Sequence, residues 1–165
     1  ATEMSNVGLD LILKSRGIKV ARTDVGDKHV VECMRQNGFK LGGEQSGHII
    51  HLEHSTTGDG CVAALSVLAV MQAEGKKLSE LKKIMEDVPQ VLVNARVARR
   101  QKLSEIPGYA DLIKSLRSQL GEEGRIFVRY SGTEPVLRIL VEGRDRQQIS
   151  EIAEEIAGFV SNKLT

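Results

Sequence analysis

Two arginines, Arg129 and Arg138, flank the loop Ser131-Gly132-Thr133-Glu134-Pro135, and together these residues have the chemistry of a phosphate clamp. The runs on either side, 125–130 and 136–142, alternate as strands do. Ile126, Val128 and Tyr130 share an apolar face with Leu137, Ile139 and Val141, which leaves Arg129 and Arg138 on the other face. A hairpin in this register sets the two cations opposite one another. Like charges so placed destabilise a ladder by roughly a few tenths of a kcal/mol, so the pairing makes sense chiefly with an anion between them. The loop adds the Ser131 and Thr133 hydroxyls, and Gly132 lets backbone N–H groups turn toward the same point. A lone turn of this composition would be an ordinary hairpin with solvated arginines. The convergent arginines and a second polar loop upstream favour the clamp.

That second loop is Gly42-Gly43-Glu44-Gln45-Ser46-Gly47-His48, between two further strand-like runs. Turns need glycine but not this set of side chains. Glu44 accepts hydrogen bonds, Ser46 and Gln45 both donate and accept, and His48 can donate to an anion or a hydroxyl. A carboxylate bridging two vicinal hydroxyls is a good match for a sugar, because both are donors in fixed geometry. Lys28, beside Asp27 in a Gly-containing turn, is a further candidate for ligand contact at a sheet edge.

Competing chemistries are weaker. His48, His51 and His54 fall at three-residue spacing, but residues three apart on a strand point to opposite faces, so His51 should turn away from the other two and no zinc site is expected. Cys33 and Cys61 stand alone without a CxxC spacing and read as reduced, buried thiols of a cytoplasmic protein. Neither has a setting that would make it a nucleophile.

Composition narrows the field. A chain of 165 residues with 41% apolar content can bury a core in one domain or two small ones, and the change of texture around Pro89 favours two. The net charge of +1, with acids and bases interspersed, argues against nucleic acid or an anionic membrane as partner. Aromatic content of 3% with no Trp leaves few stacking platforms for single strands. The longest apolar stretch, 61–71, is interrupted by Ser66 and too short to span a bilayer. No signal peptide is evident, and the opening Ala-Thr-Glu-Met reads as the start of a fragment.

The elements that must position these loops follow from periodicity. Ser5 or Asn6 is placed to cap a first helix bearing Leu9, Ile12 and Leu13, with Gly17 at its end. A strand is expected over 18–22, a second helix carrying Val30, Val31 and Met34 and closed by Asn37-Gly38, then strands over 39–41 and 49–52. Asp59 should cap an apolar helix over 61–73, and Ser79 a short one ending near Glu86. Residues 87–91 read as a linker. Beyond it come a strand over 91–98, a helix over 109–120 ended by Gly121, the clamp hairpin, and a last helix opened by an Asp145/Gln148 capping box, with Ile149, Ile152, Ile156 and Val160 along one side. The expected architecture is an α/β layered domain over 1–88 with a mixed, largely parallel sheet, then a smaller α+β domain over 92–165 with helices on one face of its sheet.

Taken together, three stretches resemble the α-D-phosphohexomutase superfamily, most closely its glucosamine branch: Thr23-Asp24-Val25-Gly26-Asp27-Lys28-His29-Val30, Gly43-Glu44-Gln45-Ser46-Gly47-His48, and Arg129-Tyr130-Ser131-Gly132-Thr133-Glu134-Pro135 with Arg138 beyond. The resemblance extends over essentially the whole chain. It implies that Glu44 and Ser46 bind sugar hydroxyls, with Gln45, His48 and Lys28 as further sugar-site candidates, and that Arg129, Ser131, Gly132, Thr133 and Arg138 hold a phosphate. Gln45 and the Val25-Gly26-Asp27 turn point to the glucosamine branch. Lys28-His29 stands where the family usually has Arg-Tyr.

The same resemblance implies a longer, four-domain enzyme that interconverts 6- and 1-phosphates of glucosamine through a phosphoserine and a bisphosphorylated sugar, with magnesium held by an aspartate-rich motif. Neither the phosphoserine stretch nor the metal motif occurs here, so the chain should correspond to the third domain, short of its first strand, and the fourth. No catalytic residue and no metal ligand is assigned to it. Its expected partners are a phosphosugar and the N-terminal domains of the same enzyme, and a homo-oligomer is left open. The alternatives are a sister enzyme acting on mannose or glucose phosphates, or a non-enzymatic phospho-ligand-binding module.

Overall fold

A computed structural model describes residues 1–164, which form two compact units, Ala1–Glu86 and the residues from Asp87 onward. Helix α1 spans Gly8–Ser15, and its first free N–H, that of Gly8, is taken by the Asn6 side chain at 2.9 Å, so Asn6 serves the helix start. The strand expected over 18–22 does not form. Around this segment, β pairing among the described residues is limited to one parallel bridge, Thr2 to Thr23. Arg22 lies across this segment, donating to the carbonyls of Thr2 (2.6 Å) and Ser5 (2.8 Å) and pairing with Asp10.

Helix α2, Asp27–Asn37, ends on left-handed Gly38, as its sequence predicts. Phe39 is still occupied with this helix stop, donating its N–H to the Met34 carbonyl, so strand β1 covers Leu41–Gly43 rather than 39–41. Strand β2, Ile49–His51, pairs with β1 antiparallel, Gly42 opposite Ile50. The sheet of this unit is a two-stranded antiparallel ladder where a mixed, largely parallel sheet was expected, and the one parallel pairing, Thr2 with Thr23, stands apart from it. Five residues between β1 and β2 allow a hairpin, whereas a parallel crossover takes a dozen or more. Val30, Met34 and Ile50 are buried together, with Val31 and Leu52 against them. Gly42 is required here, since a Cβ would collide with Met34 and stand 2.7 Å from Val30.

Helix α3, Gly60–Glu74, is capped by Asp59, whose carboxylate accepts from the N–H groups of Cys61 (2.9 Å) and Val62 (3.0 Å). No residue of α3 is buried, and Leu65 and Leu68 are 66% and 57% exposed. Cys61 is likewise exposed and Cys33 only half-buried, against the expectation of two buried thiols. The apolar run promised burial, but none of its residues is buried among the described residues. Helix α4, Leu78–Leu81, starts after Lys77 rather than at Ser79, with Glu80 accepting the Lys77 N–H.

In the second unit, strand β3 (Gln90–Arg96) begins inside the expected linker. The Pro89 carbonyl accepts from Gly143, and Gln90 and Val91 already pair with β5. Helix α5 is Tyr109–Leu120, strand β4 Arg125–Tyr130, strand β5 Val136–Glu142 and helix α6 Arg146–Leu164. The sheet order is β3-β5-β4, antiparallel throughout. Ile126, Leu137, Ile139 and Val141 face α5 and α6, where Leu116, Ile149, Ile152, Ile156 and Val160 are almost completely buried. Each such side chain contributes roughly 1.5–3 kcal/mol by leaving water, and this layer fixes the register of the hairpin. Asp145 caps α6 through the N–H groups of Gln147 and Gln148. The Gln148 side chain goes to the Gln119 carbonyl, so the reciprocal half of the capping box is not made.

Candidate functional site

The apolar alternation that buries Ile126 and Leu137 necessarily turns Arg129 and Arg138 to the other face, and they are paired residues in the β4–β5 register. Their surroundings differ. Arg138 donates to the Glu134 carboxylate at 3.1 Å, a contact made within the hairpin itself. The Arg129 Nε is buried and has no hydrogen-bond partner among the described residues. A buried charged donor left unpaired is costly, of the order of 1–3 kcal/mol or more, unless a ligand or water supplies the acceptor.

The loop between the strands is braced from within. Ser131 is buried, its N–H bonds the Val136 carbonyl, and its Oγ accepts from the Glu134 N–H at 3.3 Å. That hydroxyl is committed to the turn, so its share in ligand contact is structural first. Gly132 and Thr133 are exposed. Gly132 does not have a positive φ, and a Cβ built there meets nothing within 4 Å. Backbone freedom and internal packing therefore do not demand glycine here. The space a side chain would occupy is open.

Sequence reasoning missed the support beneath this loop. Arg100 Nη2 donates to the Ser131 carbonyl and, at 3.5 Å, to that of Glu134, and its guanidinium lies 5.8 Å from the Tyr130 ring centroid. Tyr130 Oη donates to the Gln101 carbonyl at 2.6 Å and accepts the Gln101 N–H at 3.1 Å. The available signal was the Arg99-Arg100 pair just beyond β3, because antiparallel pairing of Arg96 with Val136 brings that end of β3 to the loop. Also unforeseen is the ion pair of Arg125 with wholly buried Glu142, at 2.6 Å.

In the first unit, Glu44, Ser46 and His48 converge. Ser46 Oγ donates to Glu44 Oε1 (2.7 Å), His48 Nδ1 lies 3.0 Å from the same oxygen, and Ser46 Oγ is 2.8 Å from His48 Nδ1. The Glu44 carboxylate can only accept, so His48 Nδ1 is the donor in that contact. Glu44 Oε1 takes both internal bonds, and its Oε2 has no partner among the described residues. The cluster thus offers acceptors suited to hydroxyl donors. Gln45 is exposed beside it.

Lys28 is not brought to this cluster by any described contact. Its side chain is 78% exposed, and its ammonium lies 3.9 Å from Glu32 one helical turn on. His51 and His54 come together, with ring centroids 6.4 Å apart, contrary to the strand argument, because the chain turns after β2 and His54 N–H bonds the His51 carbonyl. Among the described residues, no group of three or more His, Cys, Asp or Glu side chains is arranged to hold a metal. Nor is any described helix long and apolar enough to cross a membrane.

The family description "Phosphoglucomutase/phosphomannomutase, alpha/beta/alpha domain III" matches residues 1–88. The chain belongs to this family. The C-terminal domain of the same family matches residues 92–159. A phosphoglucosamine mutase of Bdellovibrio bacteriovorus is 59% identical over 165 residues, covering 100% of the chain and 36% of that relative. One from Geotalea daltonii is 55% identical over 164 residues, with 99% and 36% covered. The chain thus spans about a third of the length of these relatives. Among solved structures, N-acetylphosphoglucosamine mutase of Aspergillus fumigatus superposes with a TM-score of 0.82 at 24% identity, over 99% of this chain and 38% of that one. A second structure of that enzyme, in complex with GlcNAc-6P and magnesium, superposes with a TM-score of 0.75 at 22% identity, covering 99% and 38%. These likenesses establish the shared α/β plus α+β fold of phosphohexomutase domains III and IV.

Proposed function

We propose that this chain is the sugar-binding and distal-phosphate-binding portion of a phosphoglucosamine mutase. The whole enzyme interconverts glucosamine 6-phosphate and glucosamine 1-phosphate, a cytoplasmic step toward UDP-N-acetylglucosamine and the bacterial cell wall. A phosphoserine and a magnesium site, both outside this chain, supply the phosphoryl group and the charge stabilisation for its transfer. The observation that carries the proposal is the buried, unpartnered Arg129 Nε opposite Arg138, at a loop whose Gly132 leaves space for a ligand.

The chain's own residues account for positioning. Arg129 and Arg138 supply guanidinium donors to the phosphate that is not reacting, and neither offers it a nucleophile or a leaving group. Arg138 exchanges the Glu134 carboxylate for that phosphate and releases it when the intermediate reorients. Glu44 Oε2 accepts from a sugar hydroxyl, His48 Nε2 bonds another, and Ser46 orients both. Hydroxyl recognition of this kind serves the sugar in either orientation, which a bisphosphorylated intermediate that turns over in the site requires. Residues 1–88 carry the sugar contacts and 92–165 the phosphate contacts.

The test is turnover by the longer protein that contains this chain. Glucosamine 1-phosphate should be converted to the 6-phosphate with higher kcat/KM than mannose 1-phosphate or glucose 1-phosphate, and the isolated chain should convert none of them. A preference for either neutral sugar would reassign the substrate, and turnover by the chain alone would overturn the division of roles.

A further inference from the structure

We propose that Arg100 is a positioning residue for phosphate recognition, acting through the backbone of the 131–134 loop rather than on the ligand. The inference rests on the reading of that loop as the phosphate site. Ser131 C=O and Gly132 N–H belong to one planar trans peptide, so they point to opposite sides of it. Arg100 holds that carbonyl and thereby fixes the Gly132 N–H on the opposite side of the peptide, away from itself. A cation on the carbonyl also polarises the peptide and strengthens its N–H as a donor. The second carbonyl Arg100 reaches, that of Glu134, precedes Pro135 and has no N–H across its peptide, so that contact serves only to hold the loop's far end.

Arg100 is itself held. Its guanidinium is within cation–π range of the Tyr130 ring, and Tyr130 fastens the adjacent Gln101 by two hydrogen bonds to its backbone. Further back, the Ala98 and Arg99 N–H groups bond the Leu164 carbonyl at 2.9 and 3.3 Å, tying the segment to the end of α6. The loop therefore meets its ligand from a braced support. A site preordered in this way loses less entropy on binding than one whose loop must be ordered by the phosphate.

The experiment is titration of the ¹⁵N-labelled chain with inorganic phosphate and with glucosamine 6-phosphate, followed by amide resonances and repeated for variants. In the unsubstituted chain the Gly132 and Thr133 amides should shift on binding. Arg100→Ala should weaken binding of both probes about tenfold and abolish most of the Gly132 response, with an unchanged melting temperature. Arg100→Lys should recover only part of the loss. Tyr130→Phe, which keeps the ring but releases Gln101, should weaken binding about two- to fivefold and serves as the deciding variant if Arg100→Ala does not fold. Full binding by Arg100→Ala or Tyr130→Phe, with binding lost in Arg138→Ala, would overturn the positioning role and leave the phosphate site intact. Complete rescue by Arg100→Lys would overturn it too, by reducing the effect to charge. Absence of any loop response in the unsubstituted chain would defeat the phosphate reading, and this inference with it.

Discussion

Arg129 and Arg138 stand opposite one another on adjacent strands, and among the described residues Arg138 has an anionic partner, Glu134 at 3.1 Å, while the Arg129 Nε is buried with no hydrogen-bond partner. An anion arriving between them has two gains to collect. It relieves the repulsion of directly opposed cations and satisfies a donor that the fold leaves without an acceptor. The exposed Glu134 contact is the internal substitute it must displace, and exposed pairs of this kind are worth no more than about 1 kcal/mol.

Replacing Arg138 by Ala should therefore cost about 1.5–3 kcal/mol of phosphosugar binding, measured calorimetrically, and Arg138→Lys should regain only part, because the charge survives but the planar fork does not. Without ligand the Ala variant should match the parent in urea denaturation to within about 1 kcal/mol. Undiminished binding by Arg138→Ala would refute the clamp.

Gly132→Ala should leave folding stability within about 0.5 kcal/mol of the parent, because neither a positive φ nor a packing contact requires glycine there. Phosphate affinity should nonetheless fall at least tenfold, about 1.4 kcal/mol, since the methyl group would stand where the ligand approaches. Loss of stability without loss of affinity would assign the glycine to the fold instead.

Glu44→Ala and Ser46→Ala should weaken glucosamine 6-phosphate binding by about 1–3 kcal/mol while leaving inorganic phosphate binding nearly unchanged, because their groups suit hydroxyl donors and a carboxylate repels an anion. Parallel titrations with the two probes decide it. An equal loss for both would contradict the separation of sugar and phosphate sites.

Much of this arrangement could be read from the chain because the relevant signals are local. Alternation in 125–130 and 136–142 placed both arginines on one face, and the buried spacing of Ile149, Ile152, Ile156 and Val160 placed α6 beneath the sheet. Asp59 opens its helix and Gly38 closes its own, as capping chemistry requires. What escaped depended on contacts distant in sequence. Whether 18–22 forms a strand turns on how much backbone runs beside it, and Arg100 reaches Ser131 across 31 positions. The exposed apolar side chains of α3 show the converse limit, since an apolar run states a need for cover without saying what provides it.

The Arg125–Glu142 pair lies on the same sheet face as the clamp but is structural. Glu142 is fully buried and its carboxylate receives the Arg125 Nε at 2.7 Å. Glu142→Ala should destabilise the chain by about 3–5 kcal/mol in urea melts, because it removes the carboxylate that pairs with a largely buried cation, whereas the double replacement Arg125→Met with Glu142→Leu should cost much less. A single variant as stable as the parent would show the pair to be dispensable.

Tyr109 gives the chain a definite alkaline limit. Burial beside Phe159 penalises the phenolate and pushes its pKa up to about 12, with Arg117 opposing the shift more weakly. In the unfolded chain the same phenol ionises near 10. Below pH 10 both states hold the proton and this group's contribution to stability does not vary with pH. Between about 10 and 12 the unfolded state releases it first, so the folded state binds more protons and stability falls as pH rises. Urea midpoints measured from pH 9 to 12 should therefore decline more steeply for the parent than for Tyr109→Phe, which has no phenol to ionise. Parallel slopes for the two proteins would show that the Tyr109 hydroxyl titrates in the folded chain as it does in water.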